Sequence, residues 1–95
     1  LLFDMEFEWD DKKSDACYLQ RGFDFRFAAD VFFDPCRITF QDLRENYGEP
    51  RYITFGKRED RLFCVVYTLR GNTVRITSAR KANFREVKKY GYRQG

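Results

Sequence analysis

The chain has 95 residues, of which 43% are hydrophobic and 19% aromatic, which predicts one folded domain over residues 1–95. No apolar run approaches the roughly 18 residues of a membrane helix. The N-terminal stretch LLFDMEFEWDD is acidic, whereas a secretory signal begins with basic residues, so a cytoplasmic protein is expected. The net charge is +3, but residues 1–49 have a net charge of −6 and residues 50–95 one of +9. This asymmetry predicts a basic surface for an anionic partner, and the alternative is that folding mixes the two halves in space.

The first predicted elements are a strand and a helix. Apolar residues alternate with acidic ones in Phe3–Trp9, which is typical of a strand with one wet face. A helix that ends at Arg21 follows, and Ala16, Tyr18 and Leu19 are its candidate apolar residues.

A second helix is predicted after Gly22, which is a favourable stop for the first. Asp24 can cap its beginning, and Pro35 marks its end. Its apolar residues share one helical face, and they are Phe27, Ala28, Val31 and Phe32.

The second half of the chain predicts strands and a closing helix. Short strands are expected at 37–40 and 51–55, a central strand at Leu62–Leu69, and another at 73–78. Asn83 and Glu86 form a capping-box pattern before a helix that ends near Tyr90. The order β-α-α-β-β-β-β-α predicts an α+β fold, a small antiparallel sheet with two N-terminal helices and a short C-terminal helix packed on one face.

The residue types exclude several kinds of catalysis. The sequence has no histidine, and Cys17, Cys36 and Cys64 are far apart without CxxC spacing. We therefore expect free thiols, no metal site, no cofactor and no Ser-His or Cys-His nucleophile.

The remaining cations, carboxylates and tyrosines suit phosphodiester chemistry on RNA. The 2′-OH needs a base, the leaving 5′ oxygen needs an acid, and the charge on phosphorus needs fixed cations. Arginine serves the last role best, because its planar fork binds two phosphate oxygens and stays charged.

Three of these cations lie in the stretch TVRITSARKA. Arg75 points away from the apolar side of a regular strand, so it is either a functional residue or half of a cross-strand charge pair. Arg80 and Lys81 lie where the strand gives way to the closing helix, whose N-terminus favours anions, so both are expected to contact phosphate.

Other candidates are less specific. The hydroxyl of Tyr67 could donate to a phosphate, and the alternative is an ordinary core tyrosine. Arg85, Lys88 and Lys89 in the closing helix are RNA-binding candidates, and for the two lysines the alternative is a solvated helix end.

Several stretches together resemble a known family. In order they are FEWDDKK, RGFDFRFAADVFFDP, YGEPRYITFGK and LFCVVYTLRGNTVRITSARKA, and they cover the chain from about Phe7 to Tyr90. They are similar to the BrnT family of bacterial toxins from type II toxin–antitoxin systems.

The resemblance implies a RelE-like fold and a metal-independent ribonuclease that cuts RNA and arrests translation. It also implies a BrnA-like antitoxin as partner, with a ribbon-helix-helix domain through which the complex contacts DNA and represses its operon. The assembly is left open between a dimer and a heterotetramer with the antitoxin, and no membrane partner is expected.

The sequence departs from the family pattern at the end of the first helix. Where members commonly have Asn, Lys, His and Gly, this chain has Cys17, Gln20, Arg21 and Gly22, and Glu45 stands where a second histidine is frequent. Arginine can hold a phosphate but cannot act as a base near neutral pH.

The family's proton-transfer role is therefore reassigned. Glu45, Lys13 and Tyr67 are the candidates for proton transfer, and Arg21 becomes a further phosphate clamp. Lys13 and Arg80 match family positions.

Three functions stay open at this point. The first is a ribonuclease toxin in which Arg75 and Arg80 stabilise the phosphate and Lys13 assists. The second is a weak or inactive homologue that binds the antitoxin and regulates the operon. The third is an RNA-binding module without cleavage.

Overall fold

A computed structural model describes residues 5–44, 46 and 48–91 of the chain. The elements, in chain order, are β1 (Glu6–Trp9), α1 (Asp11–Arg21), α2 (Phe25–Ala29), a 3-10 helix (Asp30–Phe33), β2 (Ile38–Asp42), β3 (Arg51–Arg58), β4 (Arg61–Arg70), β5 (Thr73–Lys81) and α3 (Phe84–Tyr90). None of the helices in this part of the chain is long and apolar enough to cross a membrane.

The helix boundaries follow local capping chemistry. The Asp24 carboxylate accepts a hydrogen bond of 2.9 Å from the backbone N–H of Phe27 at the start of α2. Asn83 and Glu86 form the reciprocal capping box of α3. Gly22 ends α1 with φ of 86°, a left-handed conformation that glycine adopts without steric cost. The predicted caps at these positions are confirmed.

The predicted apolar residues of α1 are wrong. Ser14 and Cys17 are its buried residues, whereas Tyr18 and Leu19 are 59% and 83% exposed. The short side chains let α1 lie close to the sheet, and the Ser14 hydroxyl accepts a hydrogen bond of 3.0 Å from the backbone N–H of Phe25. A small polar residue is therefore part of the buried face of α1.

The five strands form one mixed sheet in the order β1-β5-β4-β3-β2. β4 lies at its centre, as the continuous apolar run of residues 62–69 predicts. Strands β2, β3, β4 and β5 pair with one another in antiparallel order. The edge strand β1 instead pairs with β5 in parallel, so the prediction of a purely antiparallel sheet is wrong at this edge. The α+β class is confirmed.

The helices cover both faces of the sheet, not the single face that was expected. On one face, α1, α2 and the 3-10 helix enclose the larger core, with Val65, Val74 and Ile76 at its centre. On the other face, α3 covers a smaller cluster in which Val87 and Tyr90 pack over buried sheet residues. We call these the core face and the α3 face.

Candidate active site: a charged groove on the α3 face

A bulge in β5 decides which of its cations share a face. Val66 pairs with Ser78 while its neighbour Tyr67 pairs with Ile76, so Thr77 is an extra residue in β5. The Thr77 hydroxyl donates a hydrogen bond of 3.1 Å to the Val66 carbonyl and holds the bulge.

The bulge brings Arg75 and Arg80 to the same face. In a regular strand they would point to opposite faces, because they are five positions apart, an odd number. Here Ile76 and Ala79 both lie in the larger core, so Arg75 and Arg80 both point to the α3 face. The strand also continues through Lys81, three residues beyond the predicted end.

A groove of about 690 Å³ lies on the α3 face, between α3 and the end of β2. It contains cations, carboxylates and aromatic rings at once. Its charged residues are Asp42, Arg44, Arg80, Arg85, Glu86 and Lys89, and its aromatic ones are Phe40, Phe55 and Tyr90.

Arg80 is held in the groove by Glu86. Its Nη1 and Nη2 atoms donate hydrogen bonds of 2.7 and 2.9 Å to the two Glu86 carboxylate oxygens. These bonds lower the pKa of Glu86, so its carboxylate is charged near neutral pH, and they raise the pKa of Arg80. The Arg80 side chain is still 41% exposed, so an anion can reach it.

A second arginine is anchored in the same way. The Asp42 side chain is 1% exposed and accepts hydrogen bonds from Nε and Nη2 of Arg44 at 2.8 and 2.7 Å. The Arg44 side chain is itself 73% exposed. A buried carboxylate thus fixes the direction of an exposed guanidinium at the rim of the groove.

Helix α3 supplies the other two cations. Arg85 and Lys89 are four residues apart, one helical turn, and both line the groove. The Lys89 ammonium lies 5.5 Å from the centre of the Tyr90 ring, which stacks on Phe55 at a centroid distance of 4.6 Å. The stacked rings form an apolar wall beside the cations.

Arg75 lies on the α3 face but outside the lining of the groove. Its Nη1 donates a hydrogen bond of 2.8 Å to Glu8, the residue opposite it on β1. The structure therefore has the cross-strand charge pair that the sequence left as the alternative.

Tyr67 lies on the core face, away from the groove. It is 5% exposed, its hydroxyl is 3.0 Å from the Thr54 hydroxyl, and its ring meets Phe32 edge-on. This is the core tyrosine that the sequence left as the alternative.

The other sequence-predicted residues are dispersed. Lys13 is exposed on α1, and Lys88 lies on α3 over Phe84, outside the groove lining. Arg21 and Lys81 line a smaller cleft on the core face. Glu45 lies outside the described residues.

Sequence reasoning missed several groove residues. The sequence marks Glu86 only as a helix cap, and it does not mark Asp42, Arg44 or Tyr90 as site residues. The capping pattern could have pointed to Glu86, because a carboxylate at that position faces back towards the preceding strand. No local pattern marks the other three, whose proximity to Arg80 depends on strand order.

The groove also contains a cysteine that is unsuited to nucleophilic attack. Cys64 is buried, and burial raises the pKa of its thiol to about 11, so the thiolate is scarce near neutral pH. Among the described residues, no group of three His, Cys, Asp or Glu side chains is placed to hold a metal ion. The charged groups that line the groove are arginine, lysine and carboxylate side chains.

The comparison with known protein families matches this chain to one of them. The family is described as "Ribonuclease toxin, BrnT, of type II toxin-antitoxin system", and its model matches residues 9–86. No curated protein matches the chain. The matched range contains both helices of the core face and every strand from β2 to β5. Since it covers most of the sequence, the chain belongs to the BrnT family of ribonuclease toxins of type II toxin–antitoxin systems.

Proposed function

We propose that this protein is an endoribonuclease toxin that binds RNA in the groove on the α3 face and cleaves it with its own side chains. Inhibition of translation in the cytoplasm would follow from loss of RNA. The proposal is supported by the family match and by the groove, where Arg80, Arg85 and Lys89 surround one cavity. We infer that residues 1–95 are one BrnT-like domain with a RelE-like fold.

The single observation that carries the proposal is the pairing of Arg80 with Glu86. A guanidinium that is already oriented by two short hydrogen bonds loses little freedom when it binds a phosphate. Arg85 and Lys89 line the same cavity and add positive charge for the additional negative charge of the transition state.

Glu86 is also the proposed base. Its carboxylate is ionised near neutral pH and lines the groove beside Arg80, so it can accept the proton of the ribose 2′-OH. The 2′ oxygen then attacks phosphorus, the bond to the 5′ oxygen breaks, and an acid returns a proton to that oxygen. Lys89 is the candidate acid, because it lines the same groove and an ammonium can release a proton, whereas arginine stays charged.

Lys13, Arg21 and Arg75 are not proposed to contact the scissile phosphate. None of them lines the groove. The catalytic role that the sequence predicts for each stays a prediction, which single alanine variants can test against Arg80→Ala.

The antitoxin is the proposed partner. A type II toxin is inhibited by a protein antitoxin, and we infer a BrnA-like ribbon-helix-helix protein that carries the DNA contact of the complex. The complex would be a dimer or a heterotetramer, which size-exclusion chromatography with light scattering distinguishes.

A second candidate function is a non-cleaving homologue that binds the antitoxin and regulates the operon. Two considerations favour it: the family resemblance implies a histidine at the position of Arg21, and Arg75 and Arg80 already have acidic partners within the chain. Such cations could stabilise the fold without contacting RNA.

Incubation of the purified protein with RNA separates the two functions. Defined cuts that Arg80→Ala slows by about 100-fold or more support the ribonuclease. Arg70→Ala is the matched control, because Arg70 is also paired with a glutamate but does not line the groove. Intact RNA after incubation with the wild-type protein, together with unimpaired growth on its expression, supports the second function instead.

A further inference from the structure

A second cavity lies on the core face, at the end of the sheet opposite the turn between β4 and β5. It has a volume of about 260 Å³ and is lined by parts of α1, α2, β4, β5 and the β3–β4 hairpin. Its charged residues are Arg21, Arg58, Glu59, Arg61 and Lys81, and its aromatic ones are Phe23, Phe27 and Phe63. We call it the cationic cleft.

Within the described part of the chain, three cations of this cleft have no acidic partner. Arg21, Arg61 and Lys81 are exposed, and the side chain of none of them forms a hydrogen bond or ion pair with any described residue. They come from three separate elements, the end of α1, the start of β4 and the end of β5. The sequence therefore does not place them together; the fold does.

The fourth cation of the cleft is different. Arg58 donates a hydrogen bond of 2.7 Å to Asp30, contacts Glu59, and stacks 3.8 Å above the centre of the Phe27 ring. Arg58 is thus a neutralised wall residue. The cleft therefore contains two kinds of cation. Arg58 is paired with carboxylates, whereas the other three cations have no acidic partner among the described residues.

Uncompensated like charges that converge on a cavity repel one another, and a polyanion relieves that repulsion. The cleft also has an aromatic floor, in which Phe23 and Phe27 each lie within 6 Å of Phe63, at centroid distances of 5.0 and 5.5 Å. Phe23 and Phe63 are buried and Arg58 covers the Phe27 ring, so the rings support the cleft and its exposed cations are the groups that can contact an anion.

Consecutive residues connect the cleft to the groove. Arg80 points to the α3 face and lines the groove, whereas Lys81 points to the core face and lines the cleft. Both lie at the end of β5, so a chain that passes over this end of the sheet meets both cavities.

We propose that the cationic cleft binds backbone phosphates of the same single-stranded RNA whose scissile phosphate lies in the groove. Arg21, Arg61 and Lys81 each contact a phosphate that flanks the cut site. The statement that the scissile phosphate lies in the groove rests on the proposed function. RNA binding in the cleft can be tested without cleavage.

The test is the salt dependence of RNA binding. Fluorescence anisotropy with a 2′-O-methyl RNA of about twelve nucleotides measures affinity without cleavage. Each phosphate contact to a single strand contributes about 0.7 to the slope of log K against log salt concentration. The triple variant Arg21→Gln, Arg61→Gln, Lys81→Gln should therefore lower that slope by about 2, and Lys81→Gln alone by about 0.7.

A control with the same change of net charge excludes a general electrostatic effect. The control is the triple variant Lys12→Gln, Arg26→Gln, Arg70→Gln. It removes three exposed cations that lie outside the cleft, and its slope of log K against log salt concentration should equal that of the wild type. Equal losses in both triple variants, or no loss in the cleft variant, overturns the proposal. Circular dichroism confirms that each variant is folded.

Cleavage kinetics separates this proposal from the function of the groove. With a long RNA, the cleft variant should raise KM by a larger factor than it lowers kcat, because it lacks flanking contacts. If wild-type protein cleaves no RNA but the slope still falls in the cleft variant, the groove assignment fails and RNA binding by the cleft stands. If Arg80→Ala abolishes cleavage and the slope is unchanged in the cleft variant, the cleft proposal fails.

Discussion

Arg80 and Glu86 face each other across the junction of β5 and α3, joined by two parallel hydrogen bonds of 2.7 and 2.9 Å. The same Glu86 carboxylate accepts a hydrogen bond of 2.8 Å from the backbone N–H of Asn83, where α3 begins. One side chain thus caps the helix and ties it to the sheet. The pair fixes the position of α3, and with it that of Arg85 and Lys89 beside the groove.

The first prediction concerns the activity of Glu86→Gln. Glutamine keeps the length of the side chain and can still cap α3, but it cannot accept the 2′-OH proton and no longer neutralises Arg80. We expect kcat for RNA cleavage to fall by about 100-fold or more, while affinity for a non-cleavable RNA rises.

The control for this prediction is Glu49→Gln, which removes the partner of Arg70 outside the groove and should leave both quantities unchanged. An unchanged kcat in Glu86→Gln would mean that Glu86 only positions Arg80. A parallel loss of kcat and of helix content would point to capping alone.

The second prediction is a pH dependence of stability from the same residue. The pKa of Glu86 is below its ordinary value of 4.5 in the folded protein, chiefly because of the hydrogen bonds from Arg80. Its contribution to the free energy of unfolding is therefore fully present above the ordinary value and is lost as the pH falls through the folded-state pKa.

Urea unfolding of the wild-type protein and of Glu86→Gln measures this contribution. The difference in unfolding free energy between the two proteins should be constant near neutral pH and shrink once the pH is below about 4.5. A difference that persists unchanged in acid would show that the carboxylate charge does not stabilise the fold.

The third prediction concerns Tyr67→Phe. The hydroxyl is buried and lies 3.0 Å from the Thr54 hydroxyl, which in turn lies 2.8 Å from that of Thr39. Loss of this hydroxyl leaves a buried polar atom with one partner fewer, so we expect a loss of stability of about 1 kcal/mol in urea unfolding.

Cleavage by Tyr67→Phe distinguishes a core tyrosine from a catalytic one. From its place on the core face, we expect the rate per folded molecule to equal that of the wild type. A large fall in kcat with the folded fraction unchanged would instead restore the proton-transfer role that the sequence predicts.

The features that local chemistry determines could be predicted from the sequence. Asp24 and Asn83 cap their helices because a short polar side chain can satisfy N–H groups two or three residues further along the chain. The central position of β4 follows from a run of apolar residues without alternation. Such signals depend only on neighbours in the sequence.

The features that depend on pairing between distant segments could not be predicted. The bulge at Thr77 arises from the register of β5 against β4, and it moves Arg80 to the face of Arg75. Likewise, the parallel pairing of β1 with β5 supplies Glu8 as the partner of Arg75. The residue types and the family resemblance predict phosphodiester chemistry, but the fold determines which cations lie together.

The last prediction concerns the close approach of the 3-10 helix to the sheet at Gly56. A Cβ atom at this position would lie 2.7 Å from the Val31 carbonyl oxygen and 2.9 Å from its Cβ. The helix cannot easily retreat, because Asp34 accepts a hydrogen bond of 2.7 Å from the backbone N–H of Lys57 and Arg58 is paired with the same segment.

Gly56→Ala should therefore destabilise the protein by about 1–3 kcal/mol in urea unfolding, the usual cost of overpacking. Lys57→Ala is the matched control, since its side chain is exposed and its bond to Asp34 comes from the backbone, so its change should stay within about 0.5 kcal/mol. Equal stability of Gly56→Ala and the wild type would mean that the 3-10 helix moves away from β3 at little cost. In that case the Asp34 and Arg58 bonds do not hold it, and the wall of the cationic cleft that Arg58 forms is mobile as well.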